Sequence, residues 1–223
     1  MRGPCRGALL VYSIHMVTIL DYGAGNLTSV RLAFERLGVT PRLITSADDY
    51  VRGRIVFPGV GSAGSGMEGL RARGFDALLR REAAAGTPIL GICLGMQLLL
   101  GMSAEDGGVE GLGLIAGEVV PFDEAKDPSV KIPHMGWNTV RHIGHPLFVG
   151  VPQDAAFYFV HSFFARPQAD ADVLGRTDYC GENFASVVGH GSLVATQFHP
   201  ERSGEAGAQV LRNFLNLEGP ACS

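Results

Sequence analysis

The stretch Thr87-Pro88-Ile89-Leu90-Gly91-Ile92-Cys93-Leu94-Gly95-Met96-Gln97 constrains this chain more than any other. In it an apolar strand meets an apolar helix across one cysteine, with a glycine two residues to either side. Such a G-x-nucleophile-x-G turn is tight: Gly91 and Gly95 let strand and helix close without Cβ clashes, and the residue between them is lifted into the open. The cysteine then stands at a helix N-terminus, where unpaired N–H groups and the helix dipole favour thiolate over thiol. A lone cysteine in an apolar run otherwise reads as a core residue.

What turns the reading toward catalysis is the run Val194-Ala195-Thr196-Gln197-Phe198-His199-Pro200-Glu201. It is a second apolar strand, and it delivers an imidazole at its end with a carboxylate two residues later. Residues i and i+2 of an extended chain point the same way, so Glu201 can orient His199 while His199 takes a proton from, or pairs with, Cys93. Nucleophile, base and orienter are then all present. A third stretch, Phe57-Pro58-Gly59-Val60-Gly61, ends a strand with glycines that free the backbone to present N–H groups. A thioester-forming intermediate needs two such donors, and the expected pair is the N–H of Leu94 and that of Val60. A glycine-rich turn also changes peptide orientation at little cost, so this half of the oxyanion hole can be switchable.

Strands alternate with helices from residue 17 onward, which predicts an α/β fold: a mostly parallel central sheet flanked by helices, with the site at the C-terminal ends of the strands. The pattern predicts a strand at 17–22, helix at 27–37, strands near 42–45 and 54–57, one helix over 66–85, and an elbow helix ending near 101. From 111 to 196 apolar runs follow without long helical patterns, so antiparallel strands are expected there, before a last helix at 205–217. The 223 residues, 46% hydrophobic with a formal charge of −4, suit one domain over residues 16–218. Residues 1–15 read as a disordered extension or an upstream start, and 219–223 as a tail.

Eighteen Lys+Arg against 22 Asp+Glu, scattered along the chain, argue against nucleic acid, and no apolar run reaches membrane-spanning length. Cys5, Cys93, Cys180 and Cys222 are irregularly spaced, which gives neither a metal pair nor a disulfide framework and points to a reducing cytoplasm. His142 and His145 have metal-like spacing without a third ligand and read as surface residues; no metal site or cofactor is expected.

Together the elbow, the H-P-E run and the Pro58–Gly61 turn resemble the class I glutamine amidotransferases, which hydrolyse glutamine through a cysteinyl thioester and pass the ammonia to a synthase. Leu20-Asp21-Tyr22-Gly23-Ala24-Gly25-Asn26, Lys131-Ile132-Pro133-His134-Met135-Gly136-Trp137-Asn138 and Phe157-Tyr158-Phe159-Val160-His161-Ser162-Phe163 narrow the likeness to the glutaminase subunits of imidazole glycerol phosphate synthase. The resemblance implies a Cys93, His199, Glu201 triad, with Gly61, Gln97, His161 and Ser162 holding glutamine. It implies a heterodimer with a (βα)8-barrel cyclase that receives ammonia through a tunnel and makes imidazole glycerol phosphate and AICAR. Asn26, Trp137, Tyr158 and Arg202 match positions that face this partner, with Trp137 expected on an exposed turn beside Gly136 and Asn138. Phe163 stands where the family often has tyrosine, and Arg202 where lysine is usual, which keeps the charge but changes its geometry. Spacing alone reads His134 and His161 as satisfied strand histidines. Two other readings stay open: a glutaminase for a different synthase, and a catalytically silent, partner-binding homologue, against which the intact Cys93, His199 and Glu201 speak.

Overall fold

The computed structural model describes residues 16–217, so the expectations for residues 1–15 and 219–223 lie outside the described residues. The strands are β1 (Val17–Leu20), β2 (Arg42–Ile44), β3 (Arg54–Gly59), β4 (Ile89–Cys93), β5 (Met102–Ser103), β6 (Val109–Glu110), β7 (Gly117–Pro121), β8 (His134–His142), β9 (Ala155–His161), β10 (Phe163–Pro167), β11 (Val173–Tyr179), β12 (Glu182–His190) and β13 (Leu193–Thr196). The α-helices are α1 (Leu27–Arg36), α2 (Ala63–Ala72), α3 (Phe75–Ala84), α4 (Leu94–Leu98) and α5 (Gly204–Asn216).

Strands β2, β1, β3, β4 and β13 lie side by side in that order, all parallel. Every residue of β1, β3, β4 and β13 is buried, as befits strands covered on both faces. One apolar layer gathers Phe34, Phe157, Phe198 and Phe214; the other gathers Phe57, Met67, Phe75 and Leu98. The C-terminal end of the sheet therefore collects the loop after β1, the Val60-Gly61 turn after β3, Cys93 at the end of β4 and the 197–199 segment after β13.

Beyond β13 the sheet turns antiparallel through β12, β10 and β7, as the second half of the sequence predicts. A branch leaves β12 through β11 to β8 and then β9. In the β8–β9 pair His134 faces His161 and Trp137 faces Tyr158. Successive residues alternate between a face turned to the core and a face turned outward, so His161 and Tyr158 leave the same strand in opposite directions.

Three expectations are corrected. The single helix over 66–85 is two, because Gly74 takes φ +70°, ends α2 by donating to the Arg71 carbonyl and starts α3 by accepting from Leu78 N. The elbow helix stops at Leu98, since the main chain of Leu112, Gly113 and Leu114 donates to the carbonyls of Leu98, Leu100 and Leu99. Trp137 lies within strand β8, not on a turn, although it is exposed as expected. The last helix, α5, is tied back to the sheet by the Arg54 guanidinium, which donates to the carbonyls of Phe214 at 3.4 Å and Leu217 at 2.9 Å. Two free cysteines, Cys93 and Cys180, occur among the described residues, and no helix there is long and apolar enough to cross a membrane.

Candidate active site

Cys93 adopts φ 55° and ψ −112°, a strained conformation for a residue with a Cβ, which costs on the order of 1–3 kcal/mol. Its neighbours make the strain sustainable. A Cβ on Gly95 would stand 1.9 Å from the Phe57 carbonyl oxygen, and one on Gly91 would stand 2.9 Å from Ala195 Cβ and Leu99 Cδ1. Strand, helix and flanking strands are thus packed to backbone contact around the nucleophile, as the two glycines predict. Gly59 faces Cys93 in the β3–β4 register, and a Cβ there would fall 2.0 Å from the Tyr22 hydroxyl and 3.0 Å from Leu94 Cβ. The turn that carries Val60 therefore starts from a backbone seated directly on the elbow.

His199 and Glu201 form a buried pair with Nδ1 and Oε1 2.8 Å apart. Nδ1 carries the proton, because a carboxylate only accepts, and Nε2 is left for Cys93. Nε2 has no hydrogen-bond partner in this conformation, and neither does Glu201 Oε2. Burial works against charge on His199, but its interaction with Cys93 and then with Glu201 outweighs it and pushes the imidazole pKa up to about 10. The thiol itself contacts the Val160 carbonyl, 3.9 Å away on β9.

Cys93 opens into a pocket of about 360 Å³ whose lining includes Val60, Gly61, Gln97, Glu105 and Ser162. Leu94 and His161 line it as well. A larger hollow of about 570 Å³ lies between α1 and α5 behind Glu201, but Cys93 is not part of its wall, so the chemistry belongs to the smaller one. The four residues expected to hold substrate therefore do gather beside the nucleophile, although two of them are already engaged. Gln97 Nε2 donates to the Phe163 carbonyl at 2.9 Å and to Gln197 Oε1 at 3.0 Å, which leaves its own oxygen free. His161 Nδ1 donates to the same Phe163 carbonyl at 2.8 Å. Its Nε2 must then accept from His134 Nδ1 at 3.0 Å, and His134 Nε2 must accept from Asn138 Nδ2 at 3.2 Å. That chain is consistent only with two neutral rings. Burial lowers the His134 pKa to about 4 and, aided by the unfavourable proximity of the other two imidazoles, lowers that of His161 to about 3.

Of the residues matched to partner-facing positions, three cluster. Trp137 and Tyr158 meet edge to face at 6.2 Å, and the Arg202 guanidinium lies 5.2 Å over the Tyr158 ring. Asn26 instead caps α1, accepting from Ser29 N at 3.4 Å. Two pocket neighbours escape sequence reasoning. Glu105 sits on a short turn with no motif around it, and its carboxylate accepts from Ala63 N, at the start of α2, at 2.8 Å. Burial raises the Glu105 pKa, against the effect of that bond. Gln197 lies in the run that leads into H-P-E, and an amide just beyond the end of a strand is the one signal that could mark it.

Comparison with known proteins bears on this geometry. The family model described as "Glutamine amidotransferase class-I" matches residues 18–217. The imidazole glycerol phosphate synthase subunit HisH of Chlorobaculum tepidum is 44% identical over 204 residues, covering 91% of this chain and 100% of that protein. The protein of the same name from Methylococcus capsulatus is 45% identical over 211 residues, covering 91% and 96%. Among solved structures, PurLQS from Thermotoga maritima superposes with a TM-score of 0.72 at 22% identity, covering 90% of this chain and 97% of the matched one. A glutamine amidotransferase from the same organism gives 0.58 at 16% identity, covering 90% and 80%. At such identities the structures speak for the fold alone.

Proposed function

The chain belongs to the class I glutamine amidotransferases and, within them, to the family of imidazole glycerol phosphate synthase subunits HisH, and on that premise we propose that it hydrolyses glutamine to supply this synthase with ammonia. The observation that carries the reading is a strained elbow cysteine that lines one pocket and interacts with a buried His199–Glu201 pair.

The chemistry follows from the positions. Cys93 sulfur, as thiolate, attacks the side-chain carbonyl carbon of glutamine, and the carbonyl electron pair moves onto oxygen. The N–H of Leu94 and that of Val60 are the donors for this oxyanion. His199, charged and held by Glu201, gives its Nε2 proton to the amide nitrogen, the C–N bond breaks, and ammonia leaves a thioester. The neutral imidazole then takes a proton from water, whose oxygen attacks the thioester and releases glutamate. Glutamine presents an ammonium and a carboxylate at its other end; the Gln97 oxygen and the Glu105 carboxylate are the acceptors suited to the first, beside Gly61 and Ser162. His161 contributes a neutral, immobile wall, since both its nitrogens are engaged.

The partner is the (βα)8-barrel cyclase subunit, docked one to one on the face that exposes Trp137, Tyr158 and Arg202, with Asn26 contributing from the start of α1. Val160 supports this placement: its carbonyl faces Cys93, so ammonia released there is one strand away from that face. The reaction belongs in the cytoplasm. The Gly59–Val60 peptide is the element through which the occupied partner completes the oxyanion hole, so the isolated chain is nearly silent. Losing one such donor costs roughly 10²–10³ in kcat. The test is glutamine hydrolysis with and without the cyclase and its ribonucleotide substrate. Strong stimulation is expected, and Cys93→Ala should abolish glutamine use while the complex still accepts ammonium. Full activity of the chain alone, indifferent to partner, would overturn the assignment.

A further inference from the structure

Gln197 has no part in the scheme above, yet the structure surrounds it with bonds that leave its amide one orientation. It is wholly buried, and its main-chain N–H donates to the Ser186 carbonyl at 2.8 Å. Its side chain is oriented from a group that cannot rotate. The Phe163 carbonyl only accepts, so Gln97, 2.9 Å from it, must turn its nitrogen that way. The same nitrogen lies 3.0 Å from the Gln197 side chain, so Gln197 must answer with its oxygen. Its nitrogen is thereby left facing Cys93 Sγ at 3.7 Å. A backbone carbonyl thus decides, through two amides, that Gln197 offers the sulfur a donor and not a second lone pair beside the Val160 carbonyl.

We propose that Gln197 is a positioning residue for the nucleophile: its side-chain N–H, locked by Gln97 and Phe163, donates to Cys93 sulfur and favours the thiolate. An N–H bond to an ionised acceptor is stronger than one to the neutral form, so the donor stabilises the thiolate more than the thiol and also fixes where the sulfur points. His199 is the counter-charge and Gln197 the neutral clamp. Gln97 then has two uses, its nitrogen holding Gln197 and its oxygen remaining for substrate. The role of Gln197 in turnover rests on the glutaminase reading, whereas its effect on the sulfur does not.

The test is the pH–rate profile of Cys93 alkylation by iodoacetamide on the full chain, followed at Cys93 by mass spectrometry, for wild type and Gln197→Met. Methionine keeps the length and removes the donor. The profile should move to higher pH by about one unit, with alkylation slowed about tenfold on the acid side of the wild-type midpoint. In the complex, kcat for glutamine should fall by a similar factor while KM stays within about twofold. A profile superimposable on wild type would overturn the proposal, as would a fall in KM-limited turnover alone. If Gln197→Met does not fold, the wild-type protein decides: the side-chain amide resonances of Gln197 should titrate with the same midpoint as Cys93 alkylation, and resonances indifferent to that midpoint would overturn it. A wild-type chain that alkylates as expected but never hydrolyses glutamine would remove the functional reading and leave the Gln197–Cys93 bond standing.

Discussion

At the scale of single residues, the site holds imidazoles of opposite character. His199 is pushed up to about 10, so its charged form stabilises the fold fully below the unfolded value of about 6.5, and that contribution is lost as pH rises through about 10. We expect the wild-type melting temperature to fall over that alkaline window, and the slope to flatten in Cys93→Ala and, less, in Glu201→Gln, measured by scanning calorimetry. His134 and His161, held at about 4 and about 3, have the reverse sign. Their neutral forms cost nothing above about 6.5, and stability drains away as pH falls from there toward 3, because only the unfolded chain takes up the protons. His134→Gln should flatten this acid limb. Tyr22 adds a different case: its hydroxyl is buried without a partner, and burial, then the Cys93 charge, keeps it protonated. Tyr22→Phe should leave stability unchanged or raise it by about 1 kcal/mol in urea unfolding, since no bond is lost. Cys93, His199 and Glu201 were legible as candidates because each sits at or just beyond the end of an apolar run. Gln197 and the His134–His161 chain were not, because their partners come from strands far away in sequence.

At the scale of elements, backbone contact governs what can change. Gly95→Ala would drive a methyl to within 1.9 Å of the Phe57 carbonyl, backbone against backbone, and should cost about 3 kcal/mol or more by denaturant titration. Gly59→Ala meets the end of a side chain instead, the Tyr22 hydroxyl, so its cost should be partly recovered in a Tyr22→Phe background. Additive losses would show that the clash lies with Leu94. The alternation of strand and helix made the parallel half readable, since each element there is apolar along its length. The break at Gly74 was not, because 66–85 keeps a helical apolar period on both sides of one left-handed glycine. Nor could the short antiparallel strands be paired from sequence: β11 shifts register against β12 within three residues, and only packing decides such a slip.

At the scale of the whole molecule, β9 turns His161 toward the pocket and Tyr158 toward the surface proposed for docking. Trp137 is 59% exposed and Met135 63%, an apolar patch beside Arg202 that a lone chain has no reason to keep in water. Trp, Tyr and Arg are the residue types that dominate binding energy in interfaces. Trp137→Ala should weaken cyclase binding about 30-fold or more by calorimetric titration, while the melting temperature of the free chain moves by less than about 2 °C. The position of this patch was legible from its motif and its neighbours were not, because Tyr158 and Arg202 reach it from separate parts of the sequence.

The β8–β9 pairing, with His134 opposite His161 and Trp137 opposite Tyr158, imposes a parity rule on anyone who would re-engineer the chain. Because a strand changes face at every residue, inserting or deleting one residue in either strand would exchange inside for outside along the rest of it. Depending on the strand and the place of the change, tryptophan or tyrosine would be driven inward, or one of the paired histidines into solvent, in a single genetic step. Changes of two residues would preserve the faces and slide the docking surface by one repeat. A β8–β9 pair transplanted from a relative would therefore bring its outer surface and its pocket wall as one cassette, and single-residue slips of register cannot change the one without the other.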